Sequence, residues 1–145
     1  MIRKILFFLF FNCVLFVNIF SQILTPIEWS YVIDKKQLHV GDSITLTFIA
    51  EIEDSWYLYS FGNNDINSEL SPTFIFNKND TYGLIDGVIP INPKTKYDSI
   101  WEGNVKYFDR EAKFIQKISV LSKTPYVSGS MYYQVCSDIE KKCIP

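Results

Sequence analysis

At 145 residues the chain has the size of one domain, long enough to bury a hydrophobic core. Apolar residues at 48% and aromatics at 17% exclude a disordered chain. A net charge of -2 with no basic stripe gives nucleic acid no electrostatic footing as a partner.

The first element in chain order is a leader. "MIRKILFFLFFNCVLFVNIFSQ" opens with Arg3 and Lys4 and runs apolar over residues 5–20. These are the charged and apolar regions of an export signal, with Ser21 ahead of Gln22 as the cleavage point. A signal peptide is therefore expected over residues 1–21 and a mature domain over 22–145. An uncleaved anchor helix is the alternative, weakened by Asn12 and Asn18 and by a run a little short for a full span. The apolar run continues well past Cys13, which argues against lipidation there. Cleavage leaves 12 basic residues against 16 acidic ones, and two cysteines, Cys136 and Cys143. In an oxidising exported compartment, two cysteines this close are usually paired.

Beyond the leader the pattern has period two. "IEWSYVI" (Ile27–Ile33) reads as a strand rich in aromatic and branched residues. "VGD" over residues 40–42 signals a turn. "SITLTFIAEI" then puts Ile44, Leu46, Phe48, Ala50 and Ile52 on one face of a half-buried strand. "WYLYS" (56–60) is a short aromatic strand, and "FGNNDINSELSP" a polar loop. "TFIFN" (73–77) is another strand candidate. "YGLIDGVIP" (82–90) is weaker, because Gly83 and Gly87 interrupt it. "AKFIQKISV" alternates again, with Phe114, Ile118 and Val120 on one face. "YVSGSMYYQV" places Val127, Met131, Tyr133 and Val135 on one side and leads into Cys136. No stretch after the leader has a helical period with caps. The expected fold class is all-β, an immunoglobulin-like antiparallel β-sandwich. The cysteines depart from the antibody pattern, since they lie close together at the end of one strand.

Two roles for the pair stay open on these grounds. As a clip, a bridge closing an eight-residue ring stabilises by about 2.5 kcal/mol on the chain-entropy model. As a redox pair, it needs access for an attacking thiolate and a sulfur that leaves well. The polar segment "SDIEKK" between the cysteines is expected at the surface, which supplies access. Lys141 and Lys142 favour a Cys143 thiolate, whereas Asp138 and Glu140 oppose it. No metal or other cofactor is expected: two cysteines and the single histidine, His39, fall short of a four-ligand zinc site. His39 is read as a surface residue. The sequon at residues 79–81 supports no claim.

Four stretches, taken in order and spacing, carry a resemblance: "IEWSYVI", "DSWYLYS", "VKYFDREAKFIQKISV" and the closing "YQVCSDIEKKCIP". Together they resemble the N-terminal periplasmic domain of the thiol:disulfide interchange protein DsbD, over about residues 25–145. The segment between the cysteines is one residue longer than in familiar members. A single proline, Pro145, follows Cys143 where two are usual. The closing strand, transmembrane electron carrier and thioredoxin-like domain of full-length members are not in the sequence, so a domain cut short at its C-terminus is expected, with a small stand-alone relative as the alternative.

The resemblance implies an immunoglobulin-like periplasmic domain that passes reducing equivalents through Cys136 and Cys143 to oxidised thioredoxin-like partners. It implies that Cys143 makes the intermolecular disulfide and that Cys136 resolves it. It implies a cap over the pair, matched by "DSIWEG", with Trp101 as the cap residue and Ile100 as the alternative if the match slips by one. Tyr57 and Tyr59 match tyrosines lining the site. Alternation along a strand points them the same way, with Leu58 opposite. Asp98 or Glu102 would tune the thiolates. The competing expectation is a secreted immunoglobulin-like binding module whose disulfide is purely structural.

Overall fold

The computed structural model describes residues 24–61, 68–99 and 101–145. The leader expected over residues 1–21, Cys13 within it, and Ile100 lie outside the described residues.

The fold is all-β with antiparallel sheets. Its strands are β1 (Ile27–Ile33), β2 (Ser43–Ile52), β3 (Tyr57–Tyr59), β4 (Thr73–Phe76), β5 (Tyr82–Pro90), β6 (Lys94–Asp98), β7 (Gly103–Asp109), β8 (Glu111–Val120), β9 (Gly129–Tyr132), β10 (Val135–Ser137) and β11 (Lys142–Ile144). One sheet has the order β1-β2-β8-β5 and a second has the order β11-β10-β3-β7-β6. A two-stranded ribbon, β4-β9, completes the set.

The two larger sheets face each other across the main core. β2 contributes Ala50 and Ile52, and β8 contributes Ala112 and Phe114. Leu58 of β3, Phe108 of β7 and Val135 of β10 meet them from the second sheet. Phe108 and Phe114 pack edge to face across the interface, with centroids 5.3 Å apart. The period-two pattern of β2 thus becomes one sealed face, since a strand sends alternate side chains to opposite sides. The ribbon closes the side of this core. Its Phe74 and Phe76 pack on Phe48, and Phe74 also meets Trp29. Within the ribbon a Cβ at Gly129 would sit 2.0 Å from the Ile75 carbonyl oxygen, so no larger residue fits there.

Several sequence expectations need correction. β5 is a full nine-residue strand despite Gly83 and Gly87. Its register against β8 shifts between Ile85 and Ile89, and Asp86 takes a positive φ of 57° in that bulge. Gln116, at 1% exposure on β8, donates to the carbonyls of Ile85, Asp86 and Lys117. A buried glutamine here satisfies carbonyls that the bulge strips from the ladder. "YVSGSMYYQV" is not one strand: β9 pairs with β4, and β10 pairs with β3 and β11. Strands β6, β7 and β11 were not anticipated at all.

Candidate redox site

The two faces of the second sheet carry different chemistry. Leu58, Phe108 and Val135 point into the core. Their strand neighbours point outward by alternation: Tyr57 and Tyr59 on β3, Val105 and Tyr107 on β7, Cys136 on β10. On β6 the alternating set is Lys94, Lys96 and Asp98, paired with Tyr107, Val105 and Gly103 of β7.

Cys136 and Cys143 form a disulfide across the β10–β11 hairpin, as direct register partners with Cα atoms 4.0 Å apart. On its other side Cys136 pairs with Tyr57. Cys136 is only 2% exposed, whereas Cys143 on the edge strand is exposed. The bridge therefore lies outside the sandwich core, with one sulfur-bearing residue buried and the other at the surface. The turn between them, residues 138–141, is exposed as expected. Ser137 is not: it is buried, and its hydroxyl accepts the Glu140 N–H at 3.1 Å, pinning the turn. Lys142 belongs to β11 and not to a loop.

Cys136, Tyr59 and Val105 form one buried cluster, and Tyr57, Leu70 and Trp101 pack against it. The structure thus brings the expected cap residue Trp101, both tyrosines and the buried cysteine into one group. Tyr57 and Tyr59 stand edge to face at 5.3 Å with their hydroxyls 3.4 Å apart, while Leu58 faces away into the core. Tyr59 donates to buried Asp98 at 2.8 Å, and the Trp101 N–H donates to the same carboxylate at 3.4 Å. Asp98 thereby ties the turn after β6 to the tyrosine pair. Glu102 is exposed in that turn at a positive φ of 50°.

Tyr57 donates to Asp138, in the turn between the cysteines, at 3.0 Å. Lys96 reaches the same carboxylate at 3.4 Å, and its ammonium lies 3.7 Å from the centroid of the Tyr57 ring. Burial first, then the hydrogen-bond contacts with Tyr59 and with Asp138, push the Tyr57 hydroxyl far above the usual phenol range. Burial also raises Tyr59; its contact with Tyr57 lowers it and its bond to Asp98 raises it. Both phenols therefore remain neutral donors at any physiological pH. They can orient carboxylates but supply no charge of their own to a thiolate.

Beside the turn between the cysteines lies an open cleft of about 400 Å³, lined in part by Trp56, Tyr57, Lys96, Tyr107, Arg110 and Asp138. A larger apolar cavity of about 480 Å³ lies between β2 and the ribbon; neither space is lined by Cys136 or Cys143. Among the described residues no cluster of three or more His, Cys, Asp or Glu is placed to hold a metal. His39 is exposed, and its backbone N–H donates to Asp42 at 3.0 Å.

Sequence reasoning missed Lys96, Tyr107, Val105 and Leu70. The available signal was the alternation of Lys94, Lys96 and Asp98 in "KTKYD", which reads as a solvated loop until β7 pairs with it. No protein-family model, curated protein or solved structure matches the chain.

Proposed function

We propose that the chain is a thiol–disulfide exchange domain working through Cys136 and Cys143. One observation carries the reading: the bridge joins an exposed residue, Cys143, to a buried one, Cys136, on the outer face of a sheet and beneath aromatic side chains. Exchange requires a sulfur that a second protein can reach and another that stays behind to resolve the intermediate. The resemblance to the DsbD N-terminal domain assigns the same two roles to the same two cysteines.

In the reduced protein the Cys143 thiolate attacks a partner's disulfide, and one partner sulfur leaves as a thiolate. Cys136 then attacks Cys143 in the mixed disulfide, and the second partner sulfur leaves. Two electrons pass from the pair to the partner, whose thiolates take up protons. A dithiol of the thioredoxin-like class restores the pair by the reverse steps. The reducing direction, the periplasmic setting, the thioredoxin-like partners and a transmembrane electron carrier come from the resemblance. Trp101, packed against the Cys136 cluster, restricts approach to the buried sulfur.

The second reading is a binding module with a structural clip. The bridge does tie a three-residue edge strand to its neighbour, as a clip would. Equilibration with glutathione separates the two. The exchange reading expects a potential within roughly -120 to -270 mV. A potential below about -300 mV, resistant to glutathione, supports the clip and contradicts the exchange reading.

A further inference from the structure

The turn between the cysteines is held by two contacts from far away in sequence. Asp138 accepts from the Tyr57 hydroxyl at 3.0 Å and pairs with Lys96 at 3.4 Å, across 81 and 42 residues respectively. Lys96 is itself fixed over the rings of Tyr57 at 3.7 Å and Tyr107 at 5.3 Å. Its side chain is 25% exposed, so this is not a free surface lysine, whereas the Asp138 side chain it holds is 76% exposed. Among the described strands β11 pairs only with β10, and its Ile144 packs against the main core. When the disulfide opens, the hairpin register, the packing of Ile144 and the hold on Asp138 remain to keep Cys143 opposite Cys136.

We propose that Tyr57 and Lys96 form a clasp on Asp138 that keeps the reduced cysteines opposed, so that Lys96 acts as a positioning residue for disulfide formation. Opposed thiols have a high effective concentration toward each other, which favours the bridged form. A pair that closes readily is a stronger reductant of other disulfides. The clasp thus explains how this site would favour giving electrons away; that consequence rests on the exchange reading proposed above, whereas the effect on the thiol–disulfide equilibrium does not.

The sign separates the clasp from a simple charge effect. A lysine acting only as a nearby cation would stabilise thiolates, so its removal would favour the disulfide. Loss of the clasp favours the dithiol.

The test equilibrates the wild-type chain, Lys96→Met, Asp138→Ala, the double variant and Lys96→Arg in dithiothreitol redox buffers at pH 6 and pH 8. As the Cys136–Cys143 bond breaks and takes up two protons, dithiothreitol is oxidised to its cyclic disulfide. Thiol alkylation and mass measurement give the fraction reduced. Lys96→Met is expected to shift the equilibrium about three- to five-fold toward the dithiol at both pH values. Asp138→Ala is expected to do the same, the double variant no more than either single one, and Lys96→Arg to restore most of the effect. Lys94→Met, on the same strand but paired with Asp109, should change nothing. No shift with Lys96→Met, a shift toward the disulfide, or additive effects in the double variant overturns the clasp. If the clasp effect appears but no thioredoxin-like disulfide is reduced by the wild-type chain, the exchange reading fails while the clasp stands.

Discussion

The two faces of the five-stranded sheet differ in what holds them. The inner face is apolar and packed: Leu58, Phe108 and Val135 lie against Phe114 of the other sheet, all at or below 4% exposure. The outer face sets beside a disulfide tyrosines, carboxylates and a lysine linked to one another at 2.8 to 3.7 Å. One face secures the fold by removing apolar area from water. The other surrounds the disulfide with polar contacts, from the buried Tyr59–Asp98 bond to the exposed pairings of Asp138, each contributing modestly. The strands are shared, so single-residue alternation separates the packed core from the candidate site.

The largest expected effect breaks the inner face. Phe114 is fully buried and packs against Trp29, Phe61, Phe74 and Phe108. Phe114→Ala should cost about 4 kcal/mol in urea unfolding, since it removes the ring at the centre of the cluster and leaves a cavity. Loss below about 2 kcal/mol would mean that this ring does not organise the core. The next effect lies on the outer face. Cys136→Ser with Cys143→Ser should cost about 2.5 kcal/mol, the loop entropy of a short ring, while the fold persists. Unfolding of the double variant under native conditions would make the bridge part of the structural core.

A smaller effect sharpens the contrast. Trp101→Ala should cost about 1 kcal/mol in stability yet speed reduction of the bridge by dithiothreitol roughly ten-fold, as the role proposed for Trp101 as a cap requires. An unchanged rate would make Trp101 only a packing residue. The smallest effect lies away from both faces. The His39 backbone N–H, then the Lys35 ammonium, hold the Asp42 carboxyl below its ordinary 3.8. Its stabilising contribution is present above the unfolded pKa of about 3.9 and is lost as pH falls through the lower folded value. Asp42→Asn should therefore flatten the acid limb of stability slightly below about pH 4 and leave the bridge's potential unchanged.

The same contrast decides how much could be read from sequence. β2 and the Phe114 strand were legible because one face is sealed and the other wet, so hydrophobic alternation is the signal itself. Gln116 breaks that alternation on β8 because it serves a bulge 31 residues away, which no local pattern reports. β6 and β7 escaped because β6 turns Lys94, Lys96 and Asp98 toward the site, and on β7 the exposed Asn104 and Lys106 share the face of Phe108, so period two is present in position but not in hydropathy. "YVSGSMYYQV" kept Tyr133 and Val135 packed against the main core and Val127 against a second cluster, yet it hid a change of partner, since side-chain period does not name the neighbouring strand. The disulfide was legible from two cysteines close in sequence. Its asymmetry was not, because burial of Cys136 depends on Tyr59, Val105 and the residues packed over them.

The most direct test of the account compares two single variants against one oxidised thioredoxin-like protein. Cys136→Ser leaves the exposed cysteine free, and Cys143→Ser leaves the buried one. Mixed disulfides are counted by non-reducing electrophoresis and intact mass. The account predicts a stable adduct through Cys143 in the first variant and at least roughly ten-fold less in the second, since thiolate access governs attack. Equal trapping by both variants, more through Cys136, or none through Cys143 would contradict it.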